Sequence, residues 1–375
     1  MKRIPIVILI IFILLSTISC NKYSKNSIYQ VKHINDIECS KVPYNVSQIQ
    51  SRIDTSFINS YFPYFNSNNN TLGIFFLEKN YKISIPIPLK KLIKKRRTNS
   101  DFYFYSLDSI FYFDRDLLGV FLFDSLGTII NKFSIKSKYP PNPITSNFFI
   151  FSKNSLYYSW LPKSDMSTRG SRKQTFEAIS PICKVKIDNI ISSANGYSSF
   201  SEYPNNYKTG NNYYNYGPNI YVGLNNQIIS SYQANHNIYI YKNSELIAQK
   251  ACRSNFIYEF DNIPDEYNSN LSYCQTFIGK EPKYTKFIVD PYNKWYYRIT
   301  KLRMSLKKTD MKNAKWSIII LNDSFDIIGE ALLPYSDYMP DIIIPSKEGL
   351  YIKRTAKSKE EFNGNLFLSL IQFTQ

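Results

Sequence analysis

Tyrosines and amide side chains that could bind a ligand are concentrated in the segment between residues 207 and 221. Tyr213, Tyr214 and Tyr216 alternate there with asparagines, just before a Gly-Pro pair. Exposed tyrosines stack on sugar rings and form hydrogen bonds through their hydroxyls, and rigid scaffolds often carry their binding residues on loops. We expect these tyrosines either to bind a ligand or to pack against one another in a connecting loop.

A second candidate combines aromatic rings with a cation. Tyr296, Tyr297 and Arg298 follow Asp290 by a few residues. An arginine over a tyrosine ring forms a cation–π contact, so this group could place a cation and aromatic rings at a binding site. The alternative is an ordinary strand with alternating side chains and a surface arginine.

Several kinds of catalytic and metal chemistry find no support in the sequence. Two histidines are too few for a multi-histidine metal site, and a lone histidine such as His236 is more often a polar turn residue than a general base. The acidic segments 114–116 and 322–326 lack calcium-loop spacing and are explained by turns. Nucleophile, P-loop and dinucleotide motifs are absent. We therefore expect no metal or cofactor and favour a non-catalytic protein.

The first twenty residues predict export and a lipid anchor. Lys2 and Arg3 precede an apolar run, Ile4–Leu15, and small polar residues follow it. This order is that of a signal peptide, and the run is shorter than a membrane span requires. Cys20 after the small residues resembles the lipobox of bacterial lipoproteins, in which the cysteine is diacylated. The alternative is an ordinary secretory signal.

The residues around Cys20 also suggest a location. No aspartate follows Cys20, and no acidic cluster lies nearby. We expect an anchor in the outer membrane, facing the periplasm, with the cell surface as the alternative. The formal charge of +17 reflects composition, and an exported protein meets little nucleic acid. The basic run 90–97 could contact anionic lipids or, as we favour, form a solvated loop.

Four further cysteines, Cys39, Cys183, Cys252 and Cys274, leave disulfide formation open. An exported chain can oxidise them, and four cysteines allow three pairings. Cys252 and Cys274 are close enough in sequence to join neighbouring strands. Buried free thiols are the alternative.

Short strands rather than helices dominate the pattern. Runs of Tyr, Phe, Ile and Val are separated by Asn, Ser, Asp and Gly, and the best helical candidate is the short segment 89–97. The pattern of one strand, a polar turn and a second strand recurs in four units: residues 73–85, 120–133, 237–248 and 317–329. The recurrence predicts an all-β fold, a β-propeller of about six or seven blades. Two β-sandwiches are the alternative.

The same stretches resemble a known family. Residues 108–113, 120–127, 290–298, 316–329 and 347–351 are similar to the DUF4221 lipoproteins of Bacteroidetes, which are similar to the six-bladed propeller lipoproteins of that phylum. The resemblance covers about residues 50–375. It implies a propeller in the cell envelope and no catalytic residues.

Together these observations predict three regions: a signal peptide over 1–19, a lipidated N-terminus and stalk over 20–50, in which a strand could close the ring, and a propeller over 51–375. The expected function is non-catalytic binding or scaffolding, with membrane lipid at Cys20 and an envelope protein or glycan as partners. The alternative is a propeller hydrolase or lyase acting on polysaccharide. Such an enzyme needs converging carboxylates, tyrosine or arginine, so a carboxylate pair in the central channel would indicate it.

Overall fold

Runs of aromatic and β-branched residues form the antiparallel strands of a β-propeller in the computed structural model. The described residues are 27–43, 48–49, 61–66, 71–77, 79–86, 100–114, 119–134, 149–152, 155–160, 167–186, 197–213, 217–267, 270–304, 314–334, 337–355 and 365–374. In this part of the chain the strands form six four-stranded blades. The predicted all-β propeller is confirmed, with six blades.

The first three blades follow one another along the chain. Blade 1 contains β2 (Gln48–Ile49), β3 (Tyr61–Asn66), β4 (Thr71–Phe76) and β5 (Tyr81–Pro86). Blade 2 contains β6 (Ser100–Ser106), β7 (Ser109–Asp114), β8 (Gly119–Phe123) and β9 (Ile129–Ser134). Blade 3 contains β10 (Phe149–Ser152), β11 (Ser155–Ser159), β12 (Ile182–Lys186) and β13 (Tyr197–Phe200).

The last three blades include the closure of the ring. Blade 4 contains β14 (Asn219–Val222), β15 (Ile228–Ser231), β16 (Asn237–Lys242) and β17 (Glu245–Ala251). Blade 5 contains β18 (Lys283–Asp290), β19 (Trp295–Lys301), β20 (Trp316–Leu321) and β21 (Ile327–Leu332). Blade 6 contains β22 (Tyr338–Pro345), β23 (Leu350–Arg354), β24 (Asn365–Thr374) and, from the other end of the chain, β1 (Ile28–Pro43).

Strand β1 closes the ring. It pairs antiparallel with β24, so that Val31 lies opposite Phe373. Its first two residues also pair in parallel with β21, which joins blades 5 and 6 into one eight-stranded sheet. Residues 28–43 lie in the region expected to be a stalk in which a strand could close the ring, and they form the fourth strand of the last blade. The predicted signal peptide lies outside the described residues.

The hydrophobic core lies between blades. Five clusters of buried side chains join blade 1 to 2, blades 2, 3 and 4, blade 4 to 5, blade 5 to 6, and blade 6 back to 1. Phe62 of blade 1, for example, is buried in one cluster with Ile344 of blade 6. A four-stranded sheet cannot bury both faces alone, so each blade depends on its neighbours.

Short polar turns connect the third and fourth strands of blades 2 and 5. The Asp124 carboxylate accepts hydrogen bonds from the backbone N–H groups two and four residues later, at 2.9 and 2.7 Å. The Asn322 side chain does the same at 3.0 and 2.8 Å. The Asn322–Asp326 segment is thus a turn that binds its own backbone, as expected from its residues.

The connections divide between two faces of the ring. In blades 2, 4 and 5 short turns join the first to the second strand and the third to the fourth strand, and we call this side of the ring the turn face. The other connections open on the opposite side, which we call the cap face. The cap face carries the described helices: α1 (Arg169–Ala178), α2 (Asn205–Lys208), α3 (Leu271–Lys280) and a 3-10 turn (Asp265–Tyr267). The helical candidate 89–97 lies outside the described residues.

Strand β1 starts on the turn face. Its Lys32 pairs with Gln372 of β24, and the Gln372 side chain donates to the carbonyl oxygen of Glu348, in the turn between β22 and β23, at 2.7 Å. At its first residues β1 also contacts blade 5, where Glu330 N donates to the carbonyl oxygen of Ser27 at 3.0 Å. The described chain therefore begins at the junction of blades 5 and 6.

The four predicted disulfide candidates are buried and unbonded. Cys39, Cys183, Cys252 and Cys274 are free thiols in this structure. Burial raises the pKa of Cys183 and of Cys252 to about 12. They pack as small hydrophobic side chains.

Candidate ligand-binding face

Three insertions build the cap over blades 3 to 5. They are residues 160–181 with α1, residues 201–218 with α2, and residues 252–282 with the 3-10 turn and α3. Helix α1 begins at a capping box, in which the Thr168 side chain accepts from the backbone of Ser171 and the Ser171 hydroxyl accepts from the backbone of Thr168. These two bonds satisfy backbone donors that the first helical turn leaves open.

A buried arginine joins the three insertions. The Arg172 guanidinium is 1% exposed and donates to Asp265 Oδ1 at 2.5 Å. It also donates to the carbonyl oxygens of Gly210 at 2.9 Å and Ser167 at 3.2 Å. The backbone N–H of Arg169 donates to the second oxygen of Asp265. One arginine and one aspartate therefore hold all three insertions in one arrangement.

Two hydrogen bonds at the backbone of Asn212 add a second link between insertions. Ile263 N donates to the carbonyl oxygen of Asn212 at 2.9 Å, and Asn212 N donates to the Asn262 side chain. Both connect insertion 201–218 to insertion 252–282. The cap is thus a hydrogen-bonded unit rather than three independent loops.

Aromatic rings pack beneath the cap. Tyr207 is buried between Tyr232 and Tyr213, at ring-centroid distances of 5.3 and 4.9 Å. The Tyr213 hydroxyl accepts a hydrogen bond from the Asn211 side chain at 2.9 Å. Of the three tyrosines predicted here, Tyr213 is half-buried against this cluster, and Tyr214 and Tyr216 lie outside the described residues.

Exposed aromatic residues lie on the outside of insertion 252–282. Tyr258 is 80% exposed, and the Arg253 guanidinium lies 6.0 Å from the centre of its ring. Arg253 also donates to the carbonyl oxygens of Ile257 and Tyr258, at 3.3 and 3.1 Å. Arg253 therefore stabilises the loop that carries the exposed ring.

A stack of three rings lies further along the same insertion. Tyr267 stacks on Tyr273 at 4.0 Å, with planes 18° apart, and Tyr273 faces Phe277 at 6.3 Å. Tyr267 is exposed, and the other two rings are half-buried. Sequence reasoning missed these three residues because they are spread over eleven positions without an evident motif.

The second predicted group is in the interior. The Tyr296 ring stacks on Phe325 at 4.4 Å, and its hydroxyl accepts from Leu224 N at 3.2 Å. The Tyr297 hydroxyl donates to Asp290 Oδ2 at 2.9 Å, and burial raises the pKa of both tyrosines. Arg298 is fully buried, not on the surface. Direct ligand contact through these three side chains, which the sequence suggested, is incompatible with this burial.

Arg298 instead fixes the base of the cap. Its guanidinium donates to three carbonyl oxygens, at 2.6 Å to His236, 2.7 Å to Asn235 and 2.9 Å to Cys252. It lies 3.4 Å from the centre of the Tyr284 ring, so the expected cation–π contact exists with a different tyrosine. Complete burial lowers the pKa of this arginine.

His236 shares this polar cluster. The Tyr284 hydroxyl accepts from Ser254 N at 3.1 Å and shares a second hydrogen bond with His236 Nδ1 at 2.7 Å. Desolvation, with Arg253 and Arg298 nearby, lowers the pKa of His236 to about 4. The imidazole is therefore neutral at physiological pH. Its role is structural, because it links the residue before β16 to Tyr284 of β18.

Two further groups tie the cap to blade 5. The buried Glu330 carboxylate accepts from the hydroxyls of Ser254 and Ser317 and from Asn255 N, each at 2.6 Å. The Lys301 ammonium donates to the carbonyl oxygens of Gly279 and Glu281 at the end of α3. Burial lowers the pKa of Lys301 to about 7 and raises the pKa of Glu330.

Two carboxylates on the first strands of blades 5 and 6 each have their own partners. Asp290 is buried and accepts from Tyr297 and from the turn that follows it. Asp341 of β22 forms an ion pair with Lys353 at 3.1 Å, and its carbonyl oxygen accepts from Lys286 of β18. Within the described residues, no group of three His, Cys, Asp or Glu side chains could hold a metal ion.

The family model for a domain of unknown function, DUF4221, matches residues 96–332. This chain belongs to the DUF4221 family. A crystal structure of a DUF4221 member from Bacteroides vulgatus superposes with a TM-score of 0.70 at 14% identity, covering 93% of this chain and 99% of that one. At that identity the likeness establishes the shared fold.

Two weaker similarities complete the comparison of this DUF4221 chain. A Bacteroides fragilis protein described as exported gives a TM-score of 0.47 at 12% identity, over 95% of this chain and 98% of that one. Virginiamycin B lyase of Staphylococcus aureus gives 0.42 at 10% identity, over 91% and 99%. Both scores are below 0.5, so neither protein bears on function here. A search among curated proteins found no match. Among the described residues, no helix is long and apolar enough to cross a membrane.

Proposed function

We propose that this DUF4221 chain is a lipid-anchored protein of the cell envelope whose propeller binds another envelope component through its cap face, without catalysis. The observation that carries the proposal is the interlocked cap. The cap face presents exposed tyrosines on insertions that hydrogen bonds hold together.

The anchor follows from the N-terminal sequence. Cys20 stands after a signal-peptide pattern, seven residues before Ser27. A chain of seven residues spans at most about 25 Å, so diacylation at Cys20 would hold the start of β1 close to the membrane. Acyl chains contribute about 0.8 kcal/mol for each buried CH₂ group, which makes a diacylated anchor stable.

The cap has the features of a binding surface. Tyrosine is enriched in interfaces because its ring is large and rigid and its hydroxyl forms hydrogen bonds. Tyr258 and Tyr267 are exposed on an insertion that Arg172, Asp265 and Arg298 hold in place. A surface that is ordered before binding loses less conformational entropy on binding. A protein or a glycan of the envelope fits this surface.

A polysaccharide-degrading enzyme is less well supported. Hydrolysis or elimination needs acid and base groups that converge on the substrate. Asp290 and Asp341, on the first strands of blades 5 and 6, each bind their own partners. His236 forms a hydrogen bond with Tyr284.

Site-specific crosslinking tests the proposal. A photoreactive group is attached at Tyr258→Cys or Tyr267→Cys on the cap face, and at Asn225→Cys on the turn face as a control. The native thiols other than Cys20 are buried, so labelling of the lipidated protein is selective. Illumination in native envelope fragments should give one adduct of defined mass from both cap positions and none from Asn225. Equal labelling from both faces, or no adduct from the cap, would contradict the proposal.

A further inference from the structure

The first strands of the blades line the central channel of the propeller. In the described part of the chain, contacts between neighbouring first strands run from β6 through β10, β14 and β18 to β22. Among the described first strands, only β18 contains lysine, at Lys283 and Lys286. Both side chains are partly exposed. Blade 5 therefore brings two ammonium groups to the centre of the ring.

The register of blade 5 places three lysines on one face of the sheet. Lys283 lies opposite Lys301 of β19, and Lys286 lies opposite Ile299. Residues that lie directly opposite each other share a face, and so do residues two apart along a strand. Ile299 packs in the core cluster that joins blades 5 and 6. The three lysines therefore face blade 6.

The carboxylates close to these lysines already have cationic partners. The Asp341 carboxylate of blade 6 forms an ion pair with Lys353 at 3.1 Å, while its backbone carbonyl oxygen accepts from Lys286. Glu281, at the end of α3, forms an ion pair with Arg303 at 3.1 Å. The described residues at this junction therefore carry more positive than negative charge.

Two of the three ammonium groups have donors to offer. Lys283 has no hydrogen-bond or ion-pair partner among the described residues. Lys286 uses one of its three donors on the carbonyl oxygen of Asp341. The Lys301 ammonium is buried and bonded to the backbone at the end of α3. Burial lowers the pKa of all three lysines, because a charge removed from water is costly without an anion beside it.

From this arrangement we propose that the junction of blades 5 and 6 binds a phosphate group at the central channel, through the ammonium groups of Lys283 and Lys286. Lysine binds phosphate as a point charge, and a phosphate monoester carries about −1.5 to −2 charges at pH 7. That charge matches the excess of cations better than a single carboxylate does. The site is distinct from the exposed tyrosines and does not depend on the proposed cap-face partner.

Amine labelling of the mature protein tests the site. The protein is acetylated with an N-hydroxysuccinimide ester with and without inorganic phosphate, and modification of each lysine is read by peptide mass spectrometry. Potassium chloride at the same ionic strength controls for screening. Phosphate at ten times its dissociation constant should slow acetylation of Lys283 and Lys286 about fivefold or more. Lys242, which is exposed at the end of β16, should be unaffected.

Matched variants test which side chains bind the anion. By calorimetry, Lys283→Met and Lys286→Met should each bind inorganic phosphate about tenfold or more weakly, because a hydrogen bond to a charged group contributes at least that factor. Lys242→Met is the control and should bind like the wild type. Removal of a desolvated charge should leave the melting temperature unchanged or higher, so weaker binding would not reflect unfolding.

A second ligand distinguishes the source of the phosphate. Tighter binding of inorganic phosphate than of glucose 6-phosphate would support a site for the free anion, and the reverse order would support a site for a phosphate ester. Either result supports the proposal. It would be overturned if phosphate protected neither Lys283 nor Lys286, if chloride protected them equally, or if both variants bound phosphate like the wild type.

Discussion

Replacement of Arg298 should destabilise the propeller by several kcal/mol. Arg298→Met keeps the length of the side chain but removes the donors to the carbonyl oxygens of His236, Asn235 and Cys252, which lie within 2.9 Å. A buried acceptor left without a donor costs about 1–3 kcal/mol. Part of this loss is offset because a charge without a carboxylate partner no longer has to be buried. We expect a net loss of about 3–5 kcal/mol in the free energy of unfolding.

The assay is equilibrium unfolding in urea, followed by tryptophan fluorescence and circular dichroism. Arg298→Lys should fall between the wild type and Arg298→Met, because an ammonium keeps the charge but cannot reach all three carbonyls with a planar fork. Lys250→Ala is the control, since Lys250 forms a partly exposed ion pair with Asp326 and should cost less than about 1 kcal/mol. A loss below 1 kcal/mol for Arg298→Met would refute the argument that this residue holds the base of the cap.

Three further outcomes follow from the same contacts. Cys20→Ser should release the protein from the membrane fraction into the soluble fraction, and continued sedimentation with membranes would contradict the proposed anchor. Arg172→Met removes the link between the three insertions and should increase proteolysis within residues 252–282 at least about fivefold, with Lys173→Met, whose ammonium forms an exposed ion pair, as the unaffected control. Because the folded-state pKa of His236 is about 4, below its usual 6.5, the unfolded chain binds the proton first. Stability should therefore fall as the pH decreases from about 6.5 to 4, with a slope of less than about 1.4 kcal/mol per pH unit, since the ring is partly exposed. His236→Gln should lack this component, and identical pH profiles for the two proteins would contradict it.

The sequence was most informative about the outer halves of the blades. The four units recognised as repeats are the third and fourth strands of blades 1, 2, 4 and 5. These hairpins have short polar turns, and apart from the pairing of β21 with β1 their strands pair with neighbours in sequence, so the pattern is local. The long gap between the second and third units hides blade 3, whose second and third strands are separated by helix α1. The gap between the third and fourth units hides no blade, because insertion 252–282 fills it.

Helix α1 was missed for a physical reason. Its buried residues are Arg172, Thr175 and Phe176, which have helical spacing, but two of the three are polar. A search for apolar residues at that spacing cannot find such a helix. Thr168 and Ser171, which form its capping box, were the available local signal.

The candidate site depended on contacts between distant residues. Arg298 was singled out as a possible surface cation, but its acceptors lie on residues 235 to 252 of another blade. Only the folded ring brings these carbonyls around the guanidinium. Tyr258 and Tyr267 gained significance in the same way, because their exposure follows from the position of insertion 252–282 on the cap.

The most direct test of the account is hydrogen exchange of the lipidated protein, measured in native envelope fragments and again after purification in detergent. If the cap face binds a partner, amides in residues 252–282 should exchange more slowly in the envelope and faster after purification, while those of the interior strands β19 and β20 should not change. Exchange in residues 252–282 that is identical in both preparations would contradict the claim that the cap is the binding face.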